Sequence, residues 1–169
     1  APVVAIDGAG TAWFAWVDDE RAIALRGLRA DGSFGPQRRV GEAWRVRCPS
    51  IAVTATGELL VLWTADSERG DNDLCRALVG RDGSIDRETI AFDAYESSVA
   101  AGAAGALVTW AAPAEEGHAI WAAALDERGC AGPAYLLGAG VAASPIAIDG
   151  GFAVAMTTLA KGEAPTRRV

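Results

Sequence analysis

Apolar residues along this chain recur in short runs, and most of these runs end in tryptophan. Three such runs each begin at a glycine: residues 10–16, 57–63 and 105–110. Their closing residues, Trp16, Trp63 and Trp110, are evenly spaced, since 63 − 16 = 47 and 110 − 63 = 47. A fourth run closes at Met156 instead, 156 − 110 = 46 residues further on. Short apolar runs bounded by turn residues predict strands that are buried on both faces.

Other strands and turns repeat around these runs. An apolar strand precedes each run and begins near Pro2, Pro49, Ser97 and Pro145. A third apolar strand and a fourth, more polar strand follow, joined by a turn that contains Asp31-Gly32 in the first unit and Asp82-Gly83 in the second. Asp-Gly between two strands is a strong hairpin signal, because glycine tolerates the positive φ that the turn demands. We therefore predict an all-β fold with four short strands in each unit of about 47 residues.

A period of about 40–50 residues with four strands per unit is typical of a β-propeller. The chain resembles bacterial β-propeller repeat proteins, in which a blade starts with a Pro-x-Ile-Ala-Val-like strand, passes a glycine turn and runs to a tryptophan; residues 49–63 follow this order. The resemblance is architectural and implies a single partial propeller domain, residues 1–169. Neither the sialidase Asp-box nor the WD40 signatures are present, so no family function follows. The predicted repeats are residues 2–48, 49–96, 97–144 and an incomplete 145–169.

About three and a half four-stranded blades do not close a ring, since propellers generally have about four to eight blades. Fewer blades leave apolar faces and strand edges open. We predict that the ring is completed by another chain, which makes the protein a homo-oligomer, or by the rest of a longer chain. Two copies of three and a half units would make about seven blades. A compact four-bladed monomer with a short last blade is the remaining alternative.

The formal net charge of −7 argues against nucleic acid and against anionic membranes as partners. No apolar stretch reaches 18 residues, so we expect no membrane insertion. For the cysteines Cys48, Cys75 and Cys130 we predict buried free thiols, with a Cys48–Cys75 disulfide as the alternative. The chain shows no signal peptide and opens with Ala1 rather than Met, as a processed, trimmed or partial chain would; the compartment stays open, with a secreted or cell-surface location favoured.

The turns between the second and third strands are rich in carboxylates. In a propeller blade these turns lie on the same face as the connection to the next blade, and that face usually carries the binding site. Hard cations prefer clustered oxygen ligands, so calcium is a possible cofactor, with Asp66, Asp71 and Asp73 as the candidate ligands. The alternative is that charged hairpin tips are simply solvated. We expect no other cofactor.

The connections between blades supply the candidate ligand-binding residues, which are Trp44, Arg45, Arg47, Asp93, Tyr95 and Glu96. Trp44 stands out because the 47-residue spacing puts Ala91 at its counterpart, so the repeat does not require a tryptophan there. An aromatic ring beside arginines can stack on a sugar ring or hold a carboxylate. The alternative is that Trp44 packs between blades while the arginines pair with the acidic turns. Trp16, Trp63 and Trp110 are predicted to be structural.

No catalytic residues are predicted, since His118 is the only histidine and no GxSxG motif is present. Our hypothesis is a non-enzymatic binding module that recognises a carbohydrate or a protein through the loop face of a propeller. One alternative is a part of a secreted, propeller-fold, glycan-active enzyme. A second is a structural or assembly protein whose loop face is buried against a partner.

Overall fold

The structure, a computed structural model, describes residues 1–66 and 72–158. Within these residues every regular element is a β-strand, which confirms the all-β prediction. The strands are β1 (Val3–Ile6), β2 (Ala12–Asp18), β3 (Ala22–Leu28), β4 (Arg38–Glu42), β5 (Val46–Val53), β6 (Leu59–Asp66), β7 (Asn72–Val79), β8 (Ile85–Ala91), β9 (Tyr95–Gly102), β10 (Gly105–Ala114), β11 (Gly117–Leu125), β12 (Tyr135–Ala139), β13 (Ala142–Ile148) and β14 (Gly151–Thr157).

The strands form four antiparallel sheets, and strands that are neighbours in the chain are neighbours in the sheet. The first three sheets have four strands each: β1–β4, β5–β8 and β9–β12. The fourth sheet is the pair β13–β14. The four-stranded unit is therefore confirmed three times. The second, third and fourth sheets open at Val46, Tyr95 and Ala142, two or three residues before the predicted repeat starts at 49, 97 and 145.

The turns between the third and fourth strands have the predicted Asp-Gly geometry. Gly32 and Gly83 have φ values of +83° and +88°, in the left-handed region that favours glycine. The preceding Asp82 accepts hydrogen bonds at Oδ1 from the Ser84 hydroxyl at 2.6 Å and the Ser84 amide at 2.9 Å. These two bonds lower the pKa of Asp82, with the hydroxyl as the larger cause. The turn is thus held by its own carboxylate.

Strand β6 is buried on both faces, as its uninterrupted apolar run predicts. Alternate side chains of a strand point to opposite sides of the sheet. On one side Leu59, Val61 and Trp63 join the apolar cluster shared with the first sheet. On the other side Leu60 and Leu62 join the cluster shared with the third sheet. The sheets therefore stack face to face, and the second sheet lies between the first and the third.

Two of the closing residues, Trp63 and Met156, pack against a glycine of the preceding sheet. Gly41 in β4 leaves room for the indole of Trp63, since a methyl group at Gly41 would lie 2.6 Å from Cε2 of that ring. Met156 takes the same place in the fourth sheet and lies near Gly138 of β12. The prediction that Trp63 and Trp110 are structural is confirmed, because both are buried in clusters between sheets.

The two ends of the stack are less covered than its middle. Trp16 is only half-buried and borders an open groove of about 570 Å³ together with Phe14 and Phe34. At the other end, Ile146 and Ile148 of β13 are exposed. In the part of the chain that the structure describes, no closed ring is seen.

The described residues contain no helix that is long and apolar enough to cross a membrane. All three cysteines are free, which agrees with the predicted thiols and excludes the Cys48–Cys75 disulfide in this structure. Their predicted burial is wrong for two of them, since Cys48 and Cys130 are exposed. Cys48 lies at an irregularity in β5 and Cys130 in a turn, so the apolar strand pattern does not extend to either residue.

Candidate functional site

The acidic hairpin tips and the connections between sheets lie side by side, as predicted. In each complete sheet, an amide of the connection donates a hydrogen bond to a carbonyl at the tip between the second and third strands. The three bonds are Ala43 N to Arg21 O at 3.0 Å, Ala94 N to Asn72 O at 2.8 Å and Gly140 N to His118 O at 3.0 Å. We call the surface formed by these tips and connections the loop face. These repeated bonds fix the backbone on which the candidate side chains stand.

Trp44 lies in an insertion of the first connection. The fourth strands of the three complete sheets can be aligned by their pairing with the third strands. The equivalent pairs are Gly41 with Ile23, Ala91 with Leu74 and Gly138 with Ile120. The opening strands of the next sheets can be aligned in the same way. Their equivalent pairs are Arg47 with Thr64, Tyr95 with Ala111 and Ala142 with Thr157. The first connection spans 47 − 41 = 6 residues, whereas the others span 95 − 91 = 4 and 142 − 138 = 4. The assignment of Ala91 as the counterpart of Trp44 is therefore wrong, because Ala91 matches Gly41.

The Trp44 side chain is 78% exposed, so the alternative that it packs between sheets is wrong. The guanidinium of Arg21 lies over the indole ring, 5.4 Å from the ring centroid. A cation at this distance is attracted by the ring and favours one orientation of an otherwise solvated side chain. The loop face thus presents an exposed aromatic surface at Trp44.

A charged cleft of about 410 Å³ adjoins this tryptophan, because it is lined by Arg21, whose guanidinium lies over the indole, and by Ala43, the residue before Trp44. Its charged lining residues are Asp18, Asp19, Arg21, Arg39 and Glu42. Arg39 lies between two carboxylates, 3.9 Å from Asp18 and 3.6 Å from Glu42. Cleft and indole together combine hydrogen-bonding groups of both signs with a flat apolar surface.

The hairpin tip beside the cleft has an unusual backbone. Asp19 and Glu20 have φ values of +52° and +58°, a region that side chains other than glycine rarely adopt. Positive φ at both central residues is the type I′ hairpin turn. Such a conformation costs on the order of 1 kcal/mol or more per residue and tends to persist at functional sites. Its effect here is to present two carboxylates at the tip.

The two arginines of the connection differ in their environment. The Arg47 guanidinium forms a salt bridge with Asp66 at the end of β6. Arg45 is exposed, and its carbonyl accepts a hydrogen bond from the Asp66 amide at 2.9 Å. The predicted pairing of arginine with an acidic turn is therefore confirmed for Arg47. This residue positions the connection, which leaves Arg45 as the better placed of the two for a ligand.

Asp93, Tyr95 and Glu96 form a second group, in the connection after the second sheet and the first residues of β9. The Tyr95 ring meets the His118 ring edge to face, with centroids 6.1 Å apart and planes at 88°. Asp93 and Glu96 have φ values of +52° and +45°. The predicted residues are thus divided between two neighbouring connections.

Cys48 and Glu96 hold equivalent positions in the first strands of their sheets. Each lies where the pairing with the second strand shifts register. Both have positive φ, with a value of +49° for Cys48. Such irregularities turn a side chain away from the regular alternation of the strand. Although the Cys48 side chain is exposed, nearby protein atoms shield its thiol from part of the solvent, and this desolvation raises the pKa of the thiol. The negative charge of Glu96 raises the pKa further. The sequence does not identify Cys48 as a neighbour of the site, because a register shift has no signature in the hydrophobic pattern.

The predicted calcium ligands are only partly described. Asp71 lies outside the described residues, Asp66 is paired with Arg47, and Asp73 lies in β7 opposite Ala65. Among residues 1–66 and 72–158, no group of three or more His, Cys, Asp and Glu side chains is arranged to hold a metal ion. Calcium binding at these aspartates stays a prediction.

No protein-family model matches this chain, and no curated protein matches it.

Proposed function

We propose that the chain is a non-enzymatic binding module that recognises a carbohydrate through its loop face, with Trp44 as the stacking surface. The observation that carries the proposal is the exposed indole on an insertion that the other two connections lack. An inserted, solvent-exposed tryptophan contributes nothing to the packing between sheets. Large aromatic side chains exposed on loops over a rigid scaffold are typical of binding surfaces.

The chemistry of the neighbouring cleft favours a sugar. A pyranose ring has an apolar C–H face that can lie on an indole, and its hydroxyls both donate and accept hydrogen bonds. Asp18 and Glu42 supply acceptors, and Arg39 supplies donors, in one cleft. Its volume of about 410 Å³ lies in the range of small-molecule sites. Carboxylates and guanidinium groups side by side suit a neutral polyhydroxyl ligand better than a simple ion.

A protein ligand is the second candidate, favoured by further exposed aromatics in the second connection. Phe92 is 67% exposed and Tyr95 is partly exposed. Tryptophan, tyrosine and arginine are the residues that most often dominate protein–protein binding energy. A surface that includes both connections would suit a protein, whereas the cleft beside Trp44 alone would suit a sugar.

We further infer that the four sheets are blades of a propeller. The inference is supported by the stacking of consecutive sheets, by the hydrogen-bonded tips and connections, and by contacts between the opening strands β1 and β5, β5 and β9, and β9 and β13. In a propeller the opening strands lie around the central axis. This arrangement would place the loop face around the mouth of the central channel.

Completion of the ring by another chain or by a longer chain stays a prediction. The fourth sheet pairs β13 with β14 as the complete sheets pair their first two strands. Two copies would therefore bring 2 × 4 = 8 sheets, two of them seen only as opening pairs, rather than the seven blades expected from adding halves. Light scattering distinguishes the alternatives, because a dimer supports completion by a second copy and a monomer mass contradicts it.

Binding to a glycan array and pulldown of protein ligands test the function, with Trp44→Ala beside the wild type. Tyr135→Ala is the matched control, since Tyr135 is an exposed aromatic of β12 outside the two connections. We expect Trp44→Ala to weaken glycan binding by about tenfold or more, the loss typical of a stacked aromatic. Tyr135→Ala should bind as the wild type does. Equal binding by Trp44→Ala and wild type, or no ligand for either, contradicts the proposal.

A further inference from the structure

A second cleft lies away from the loop face, between the first two sheets. It is bordered by the turns that join β1 to β2, β5 to β6 and β7 to β8, and its volume is about 600 Å³. The residues that matter for its chemistry are Asp7, Trp13, Arg38, Leu59, Val79 and Arg81. The cleft therefore combines apolar side chains, one indole and two guanidinium groups.

The two arginines enter the cleft from different sheets. Arg38 begins β4 of the first sheet and reaches the turn of the second, where a methyl group on Gly83 would lie 3.0 Å from its Nη1 atom. Arg81 belongs to that turn and lies across Gly57 of the neighbouring turn, where a methyl group would collide with its guanidinium. Glycine at both positions leaves the space that the two guanidinium groups occupy.

The nearby carboxylates are already engaged by their own turns. Asp7 accepts hydrogen bonds at Oδ1 from the amides of Ala9 and Thr11, both at 2.9 Å, and at Oδ2 from Trp13 Nε1 at 2.9 Å. The carboxylate of Asp82, next to Arg81, accepts hydrogen bonds from the amide and the hydroxyl of Ser84. Within residues 1–66 and 72–158 no ion pair joins Arg38 or Arg81 to a carboxylate. The lining of the cleft thus carries two positive charges, from Arg38 and Arg81, and one negative charge, from Asp7, although the net charge of the chain is −7.

We propose that this cleft binds a small organic anion, with its carboxylate or phosphate group between Arg38 and Arg81 and its apolar body against Trp13. Guanidinium groups present paired N–H donors that match the geometry of both oxyanions. The volume is within the range of small-ligand sites, and an apolar lining with a few convergent polar groups is their usual composition. The site is separate from the Trp44 surface, so anion binding at this cleft does not depend on carbohydrate binding by the loop face.

Calorimetry on the full chain tests the proposal with three probes that share a ring and differ in charge: phenyl phosphate, benzoate and benzyl alcohol. We expect saturable binding of at least one anion, no binding of benzyl alcohol, and weaker binding as salt is raised, since ions screen the guanidinium charges. The Trp13 indole should report the same event as a change in fluorescence. Tighter binding of phenyl phosphate identifies phosphate esters as the source of the ligand, and tighter binding of benzoate identifies carboxylates.

The double variant Arg38→Ala/Arg81→Ala should bind the preferred anion at least about tenfold more weakly, as expected when charge-assisted hydrogen bonds are removed. Arg128→Ala is the control, because Arg128 is an exposed arginine in the equivalent turn of the third sheet and should leave affinity unchanged. If the double variant fails to fold, the single variant Arg81→Ala is measured instead, and it should also bind the preferred anion more weakly than the wild type. Unchanged affinity in the variants, equal binding of benzyl alcohol, or no saturable binding of either anion overturns the proposal.

Discussion

Trp63 and Trp16 hold the same position in the repeat, yet their surroundings differ. Both lie near the ends of second strands, 47 residues apart, and both are paired across to the third strand of their own sheet. Trp63 is 3% exposed, because the first sheet covers it and Gly41 accommodates its ring. Trp16 is half-buried and borders an open groove. The difference comes from the neighbouring sheet and not from the strand itself.

This comparison separates two contributions to the fold. The repeated pattern of apolar residues determines strand register inside each sheet, where every hydrogen bond is local to one unit. Burial depends on whether another sheet lies against the face, which is a property of the stack. A residue that looks structural from its spacing can therefore contribute several kcal/mol at one place and much less at another.

The largest expected effect is that of Trp63→Ala. Removing a buried tryptophan leaves a cavity between two sheets, so we expect a loss of about 3–5 kcal/mol in the free energy of unfolding. Trp16→Ala at the equivalent, half-buried position should cost about 1 kcal/mol, because less apolar surface leaves the protein interior. Urea denaturation followed by circular dichroism measures both values. Equal losses at the two positions would contradict the comparison, since they would mean that Trp16 is as well covered in solution as Trp63.

Gly41→Ala tests the same interface from the other side and should have an intermediate effect. The added methyl group would lie 2.6 Å from Cε2 of Trp63, so the indole or one of the two sheets must shift. Overpacking of this kind costs about 1–3 kcal/mol. Gly8→Ala is the control, because a methyl group there meets no atom within 4 Å. If Gly41→Ala unfolds at the same urea concentration as Gly8→Ala, Gly41 is not the contact that holds Trp63.

The strands and hairpins could be predicted because each depends on a few neighbouring residues. The buried run of β6 and the Asp82-Gly83 turn are both of this kind. The covering of a face could not be predicted, since it requires knowing which sheets meet. The apolar run that ends at Trp16 therefore looks the same in sequence as the run that ends at Trp63.

The candidate site was predicted in its location and not in its detail. Trp44 is on the loop face, as expected, but the spacing assigned it a counterpart where the structure has an insertion. A fixed period cannot distinguish an insertion from a substitution when neighbouring strands differ in length, and β4 is shorter than β8. The salt bridge of Arg47 with Asp66 joins residues 19 positions apart. Such a contact follows from strand pairing and has no signature in the local sequence.

The smallest expected effect on stability comes from the hydrogen bond between Trp13 and Asp7 in the first sheet. Trp13 donates its Nε1 hydrogen to Asp7 at 2.9 Å, whereas the Nε1 atom of Trp63 is buried and has no hydrogen-bond partner among the described residues. The bond from Trp13 is the largest cause that lowers the pKa of Asp7 below its ordinary value of 3.8. A carboxyl with a lowered folded pKa stabilises the protein above its unfolded pKa and loses that contribution as the pH falls through the folded pKa.

Asp7→Asn should therefore cost about 1 kcal/mol at pH 7, a modest value because the carboxylate is partly solvated. The gap between wild type and variant should begin to narrow as the pH falls below about 4, where the carboxyl is protonated in the unfolded state, and should keep narrowing as the pH falls through the lower folded pKa. Urea denaturation at several pH values measures this gap. Asp31→Asn is the control, because Asp31 holds a similar turn without an indole partner and should show a smaller gap. A gap for Asp7→Asn that stays constant from pH 7 to pH 3 would mean that the charge on Asp7 does not hold Trp13, and that this tryptophan is held by packing as Trp63 is.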